Sequence, residues 1–296
     1  MKGIYVHNLN DESVAIIKSL NLSFIWTPSE ASAYLTELKN SEITIYKAIG
    51  MFGADSDDEA EKYRAIDRKG NKIPTFAGWY RGLCPNQPEI IKKRFALAQK
   101  TAANDLYDGV WLDAIRYPTY WEANPPEYLD TCYCEICKKL YEEANNSGST
   151  WEHFRRDQII KTITHIKHAL GNKTLGYFAV PDSIEQLQTI FAQAPSDFEK
   201  VVDFASPMIY SQMVGKDSNW ALKIVREFQT VFAKNRVIPI LQLVKMPDNS
   251  TDIFTVENAA SLSYNLFALG NVGYFMLDQI INLSNNNDYF QIIKET

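Results

Sequence analysis

Short apolar runs alternate with stretches of helical period along the whole chain. The runs fall at 3–7, 22–26, 43–47, 109–113, 174–178, 204–210, 237–242 and 273–278. They are apolar on both faces, as strands covered by helices on either side must be. Between them, apolar positions recur every three to four residues at 13–20, after Ser29 as far as Leu38, and at 88–106, 151–170, 183–191, 220–232, 256–269 and 289–294. Ser29 is placed to cap the second helix. Pro88 opens the third, at a position where its missing N–H is no loss. Eight strands, each followed by a helix, predict one α/β domain over residues 1–296, a (β/α)8 TIM barrel. A doubly wound open sheet is the alternative.

Two connections are too long for ordinary barrel loops, 51–85 after strand 3 and 117–150 after strand 4. Both follow strands, so both are expected over the C-terminal face, where long loops build a cleft.

Composition narrows the partners. The net charge is −6 and no basic tract stands out, which argues against nucleic acid. No apolar run approaches the ~20 residues needed to cross a bilayer. The start, Met-Lys-Gly-Ile-Tyr-Val-His-Asn, lacks the apolar core of a secretory signal, so a cytoplasmic location without a membrane partner is expected. Cys84, Cys132, Cys134 and Cys137 are the four cysteines, and three of them lie within six residues, unlike a disulfide framework.

The sharpest candidate chemistry lies in Tyr107-Asp108-Gly109-Val110-Trp111-Leu112-Asp113-Ala114-Ile115-Arg116-Tyr117-Pro118. An apolar strand delivers Asp113 to the barrel mouth, and Arg116 three residues on would favour its ionised form. Such a carboxylate can serve as nucleophile or base toward an anomeric carbon. A loop-capping aspartate paired structurally with Arg116 is the alternative.

This segment resembles the YDG-x-x-LD-x-IRYP pattern of hypothetical glycosyl-hydrolase-like barrels, relatives of the broad α-amylase-like and α-galactosidase-like group. Three other pieces resemble the same family: Cys84-Pro85-Asn86-Gln87-Pro88-Glu89, Cys132-Tyr133-Cys134-Glu135-Ile136-Cys137 and Ser206-Pro207-Met208-Ile209-Tyr210. Together they cover about the middle half of the chain. The resemblance implies glycan chemistry, with Asp113 as nucleophile or base and Tyr210 as a sugar-contacting or charge-stabilising hydroxyl. For the second carboxylate, such barrels often carry a Glu after strand 5. Here Ala179-Val180-Pro181-Asp182 stands there, leaving Asp182 and Asp278 as candidates; each could equally be a helix cap.

Four thiolates from neighbouring loops could meet on one structural Zn²⁺, with no open position for substrate. Reduced thiols or one disulfide are the alternatives. Trp26, Trp79 and Trp121 are candidate sugar-stacking rings, and His7, Lys47 and Gln242 candidate polar contacts at strand ends. Tyr80, Trp111, Tyr117 and Tyr120 are further aromatics near the mouth, with Trp111 read as core. The combined expectation is a cofactor-independent glycosidase acting on an oligosaccharide or glycoconjugate. A non-catalytic carbohydrate-binding barrel is the second possibility. A lyase or aldolase using Lys47 as a Schiff-base amine is the third.

Overall fold

The computed structural model of the protein describes residues 1–75, 80–123, 125–144, 148–244 and 255–296. Eight parallel strands close into a barrel in sequence order: β1 (Lys2–Tyr5), β2 (Phe24–Thr27), β3 (Thr44–Gly50), β4 (Gly109–Asp113), β5 (Thr174–Ala179), β6 (Phe204–Ile209), β7 (Ile240–Gln242) and β8 (Val272–Phe275). The seam pairs Lys2 with Val272 and Ile4 with Tyr274, which excludes an open sheet.

Around the barrel lie α1 (Asp11–Ser19), α2 (Ser32–Asn40), α3 (Asp57–Tyr63), α4 (Pro88–Ala102), α5 (Glu135–Ala144) and α6 (Trp151–Leu170). They are followed by α7 (Ile184–Gln186, continued as a π turn to Phe191), α8 (Pro195–Phe198), α9 (Ser218–Val231), α10 (Val256–Ala268), α11 (Leu277–Ile281) and α12 (Asn286–Glu295). No helix among the described residues is long and apolar enough to cross a membrane.

Several boundaries differ from the sequence expectation for local reasons. A capping box between Asn10 and Ser13 starts α1 at Asp11. Ser29 does not cap α2; its hydroxyl accepts from the Ala31 N–H, and the helix begins at Ser32. Strand β3 runs on to Gly50, so Lys47 lies inside the strand rather than at its end. Strand β8 stops at Phe275, and Asp278 falls in the first turn of α11.

The barrel interior is filled with rings. Trp26 packs against Trp111 and Phe178, each at 5.4 Å between centroids, and Tyr46 approaches Trp111 at 4.8 Å. Trp111 also stacks on Phe204 and donates from Nε1 to Ser206 Oγ at 3.1 Å. So many large rings fit because glycines face them. A Cβ on Gly176 would lie 2.4 Å from the Trp111 ring, and one on Gly273 would lie 2.3 Å from Trp26. The layer plugs the barrel and floors whatever sits above it.

Gly176→Ala forces a methyl group against a ring that has nowhere to go. It should lower the unfolding free energy by roughly 1–3 kcal/mol. Gly50→Ala, where a Cβ meets nothing within 4 Å, should change it by less than about 0.5 kcal/mol. Urea titrations of the two variants check this, and equal midpoints would contradict it.

Candidate active site

Side chains alternate across a strand. In β4 the buried Trp111 points into the barrel, so Asp113, two residues on, points inward at its mouth. The same parity brings Tyr5 from β1, Phe178 from β5, Met208 from β6 and Phe275 from β8 to one cavity of about 440 Å³, joined by His7 just beyond β1 and Tyr210 just beyond β6. Ala114, Arg116, Trp121 and Glu122 from the β4 loop, with Tyr80 from the β3 loop, form another wall.

Asp113 is solvent-exposed at the end of β4 and lines this cleft. Desolvation by the protein around the cleft raises its pKa above the ordinary carboxylate value; the Ala114 N–H and the Arg116 charge oppose the rise. The Ala114 N–H donates to Asp113 Oδ1 at 2.8 Å. Ala114 holds a φ of 49°, in the left-handed region that non-glycine residues adopt at a cost.

Glu122 is the second carboxylate in the cavity, and it was not among the sequence candidates. It is buried and accepts from the Arg116 guanidinium at 2.8 Å. Burial pushes its pKa up to about 7, the Asp113 charge adds to the rise, and Arg116 opposes it. Arg116 is buried as well. It donates to the Thr119 carbonyl at 2.9 Å and lies 4.9 Å from the Tyr80 ring centre. The cleft therefore holds two acids displaced toward neutrality with one guanidinium beside them. Such displacement marks groups suited to proton transfer. Tyr210 and Tyr5 are raised chiefly by burial and next by the Asp113 charge, which places both phenols near that carboxylate.

The remaining sequence candidates separate by strand parity and loop packing. His7 and Trp121 line the cavity; Trp121 lies 6.0 Å from the Tyr210 ring. Trp26 is sealed in the ring layer below and cannot meet a ligand in the cleft. Lys47 is on the outer face of β3, because its neighbour Tyr46 points inward. Its ammonium donates to the Pro28 carbonyl at 2.5 Å and pairs with Glu30 at 3.3 Å, away from the cavity, which leaves a Schiff-base role without a site.

Gln242 is fully buried beneath the β6 loop, accepting from the Met213 N–H and donating to the Val244 carbonyl. Asp278 accepts the His7 and Asn8 N–H groups, one on each oxygen, and so ties the β8 end to the β1 loop. Asp182 accepts from the Tyr128 hydroxyl at 2.6 Å and from the Ser183 N–H at 2.8 Å, outside the cavity lining. The cap of α7 is Ser183 itself. Trp79 lies outside the described residues. Tyr117 and Tyr120 are buried in loop packing.

The four cysteines do converge. Their sulfurs all lie within 4.8 Å of one another, and all four side chains are buried and unbridged.

No family model matches the sequence. No curated protein matches it either. Among solved structures, the chain is similar to the glycoside hydrolase domain of PgaB (BpsB) from Bordetella bronchiseptica, with a TM-score of 0.74 and 13% identity over 100% of this chain and 99% of that one. It is similar to a chitinase from Chromobacterium violaceum, with a TM-score of 0.59 and 9% identity over 100% and 98% of the two chains. It is also similar to a β-galactosidase from the psychrophilic Marinomonas ef1, with a TM-score of 0.63 and 10% identity; 93% of this chain aligns, spanning 54% of that enzyme's length. At such identities the likeness establishes the barrel alone.

Linkage makes the Glu122 displacement measurable. With its folded pKa raised from 4.5 to about 7, the folded state binds more protons than the unfolded state across that window. Its contribution to stability is complete below pH 4.5 and is lost as the pH rises through 7. Glu122→Gln removes this loss. The unfolding free energy of the variant minus that of the wild type should therefore climb by on the order of 3 kcal/mol between those two values. Urea unfolding at a series of pH values reads the difference, and a flat difference would contradict the displacement.

Proposed function

We propose that this chain is a glycoside hydrolase acting on an oligosaccharide or glycoconjugate, with Glu122 and Asp113 as its working pair. The observation that carries the reading is the presence of two carboxyl groups in one barrel-mouth cleft, both displaced upward, with Arg116 beside them. Glu122, half protonated near neutrality, gives its proton to the glycosidic oxygen as the bond to the anomeric carbon breaks. Asp113, as carboxylate, meets that carbon directly or takes a proton from the attacking water. Asp182 and Asp278 are given no part in proton transfer, since the one lies outside the cavity lining and the other has both oxygens engaged by backbone N–H groups.

The cavity volume of about 440 Å³ suits a small-molecule-sized portion of a glycan. The rings of Trp121, Tyr210 and Phe275 offer faces to sugar C–H groups. The likeness to glycoside hydrolase barrels supports the reading, and a mechanism run by two carboxylates draws on no cofactor.

We also propose that Cys84, Cys132, Cys134 and Cys137 hold one Zn²⁺. Sulfurs 2.3 Å from a tetrahedral zinc stand about 3.8 Å apart, and Cys84 lies 3.5 Å from Cys134 and 3.4 Å from Cys137. The Ile66 N–H and the Asn86 amide donate to Cys132 and Cys137 sulfurs at 3.3 and 3.2 Å, the kind of outer hydrogen bond that steadies a ligating thiolate. Four sulfur ligands leave no position for substrate, so the ion is structural. The purified chain should carry one zinc by elemental analysis. Retention of that zinc after all four cysteines are changed to serine would exclude the site.

Turnover of a panel of oligosaccharides and aryl glycosides tests the hydrolase. Asp113→Asn should lower kcat by about 10³-fold or more, and Glu122→Gln by roughly 10²–10⁴-fold. The Glu122 loss should shrink for nitrophenyl leaving groups, which need no protonation. Activity should fall as the pH passes about 7, where Glu122 loses its proton. Undiminished turnover by Asp113→Asn would reject the reading. Glycan binding without turnover by the wild type would move it to a carbohydrate-binding barrel.

A further inference from the structure

Glu122 does not sit on a strand. It lies in the turn of a small hairpin in the loop after β4, and everything that fixes that hairpin fixes the proton donor. Tyr120 and Glu127 exchange both backbone hydrogen bonds at 2.9 Å. Thr119 Oγ1 donates to the Glu127 carbonyl and accepts from the Leu129 N–H. At the base, Thr131 Oγ1 donates to the Pro118 carbonyl at 2.9 Å. Its ties to the rest of the fold include the Arg116–Glu122 ion pair, the Tyr128 hydroxyl on Asp182 and the Arg155 donation to the Thr131 carbonyl.

Both legs of the hairpin run into the cysteine cluster. On the return leg, Thr131 is followed directly by Cys132, with Cys134 and Cys137 beyond it. On the outgoing leg, the Tyr117 hydroxyl accepts from Asn86 Nδ2 at 2.9 Å, and the same nitrogen donates to Cys137 Sγ. Asn86 is two residues from Cys84, which comes from the β3 loop. That loop is stitched to the hairpin again by the Asp67–Thr131 bridge and by the Tyr133 N–H, which donates to the Ile66 carbonyl at 2.9 Å. It also supplies Tyr80, the ring against which Arg116 lies.

We infer that the thiolate centre is the anchor of the Glu122 hairpin, so that a bound zinc-class ion positions the proton donor from outside the cleft. The inference rests on the proposed function and on the proposed metal. It adds that the ion serves this one loop rather than the barrel as a whole. An ion joining Cys84 to Cys132, Cys134 and Cys137 closes the two cleft-building loops into one unit. It adds a metal–sulfur link between the two segments to the loop hydrogen bonds, the Arg116–Glu122 ion pair and the ring packing that also oppose their conformational entropy. The four cysteines are positioning residues and touch no substrate.

The test uses the full chain in three states: as purified, stripped of metal with a mercurial and chelator followed by thiol, and reloaded with Zn²⁺ or Co²⁺. Amide hydrogen exchange is followed throughout. In the stripped chain the Tyr120, Glu127 and Leu129 amides should exchange at least about tenfold faster, while those of β4 and β5 stay unchanged. Zn²⁺ should restore protection, and Co²⁺ should give the thiolate charge-transfer absorption of a four-sulfur site. In the turnover assay, stripping should lower kcat with little change in KM.

Failure to bind either metal would overturn the inference, as would unchanged exchange at the hairpin or equal acceleration across the strands. The two readings fail separately. Full activity of Asp113→Asn would remove the hydrolase and leave the exchange result standing, whereas an inactive Asp113→Asn with unchanged exchange would remove only the anchor. Cys84→Ser, which could misfold, is not needed for either decision.

Discussion

The closed parallel barrel imposes one constraint from which the cleft follows: each strand alternates inward and outward, and closure makes inward mean one shared axis. Once Trp111 is committed to the ring layer, Asp113 has only one direction left. The same alternation turns Lys47 out toward Pro28 and Glu30 while its neighbour Tyr46 packs inside. A one-residue slip of β4 would exchange Trp111 for Leu112 in the interior and send Asp113 into the helix layer. The glycines facing Trp26 and Trp111 are part of the same constraint, because rings of that size fit inside the barrel only where a nearby strand carries no side chain.

Above that floor, electrostatics is a balance between burial and one guanidinium. Burying Glu122 and crowding the exposed Asp113 with protein both favour the neutral forms, and a cation nearby opposes the shift without cancelling it. Arg116 pairs directly with Glu122, yet burial still dominates there. At Asp113 the Ala114 N–H adds to the cation's effect, and the displacement persists. Proton donation at neutral pH needs a group held near the point of exchange, and Glu122, pushed up to about 7, is such a group. The backbone strain at Ala114 sits beside the same carboxylate, where the turn after β4 must swing Arg116 back under the hairpin.

The cleft wall opposite the barrel strands is built from two irregular loops, and irregular backbone needs partners other than a ladder. Here those partners are the short Tyr120–Glu127 pairing, the Arg155 donation to the Thr131 carbonyl at 2.8 Å, and the packed cysteines. Rigid strands set one half of the site, while loop chemistry sets the half that holds Glu122.

Much of the architecture was legible along the chain. Eight two-faced apolar runs with helical stretches between them specify the barrel, because periodicity is a local property. Strand 4 was read to the residue, with Asp113 at its end, and the spacing of the cysteines already grouped three of them. Pairing across loops was not legible. Glu122 reads as one more acid in a Pro- and Tyr-rich insertion; its only local signal is its place beside Trp121 on the C-terminal side of the barrel, nine residues beyond Asp113. Asp278 reads as a strand-end carboxylate, and only the closure of β8 on β1 hands its two oxygens to backbone N–H groups. Periodicity carries the fold because each residue's face depends on its near neighbours. The acid pair and the meeting of Cys84 with the other three sulfurs depend on contacts between distant segments, which only the folded chain brings together.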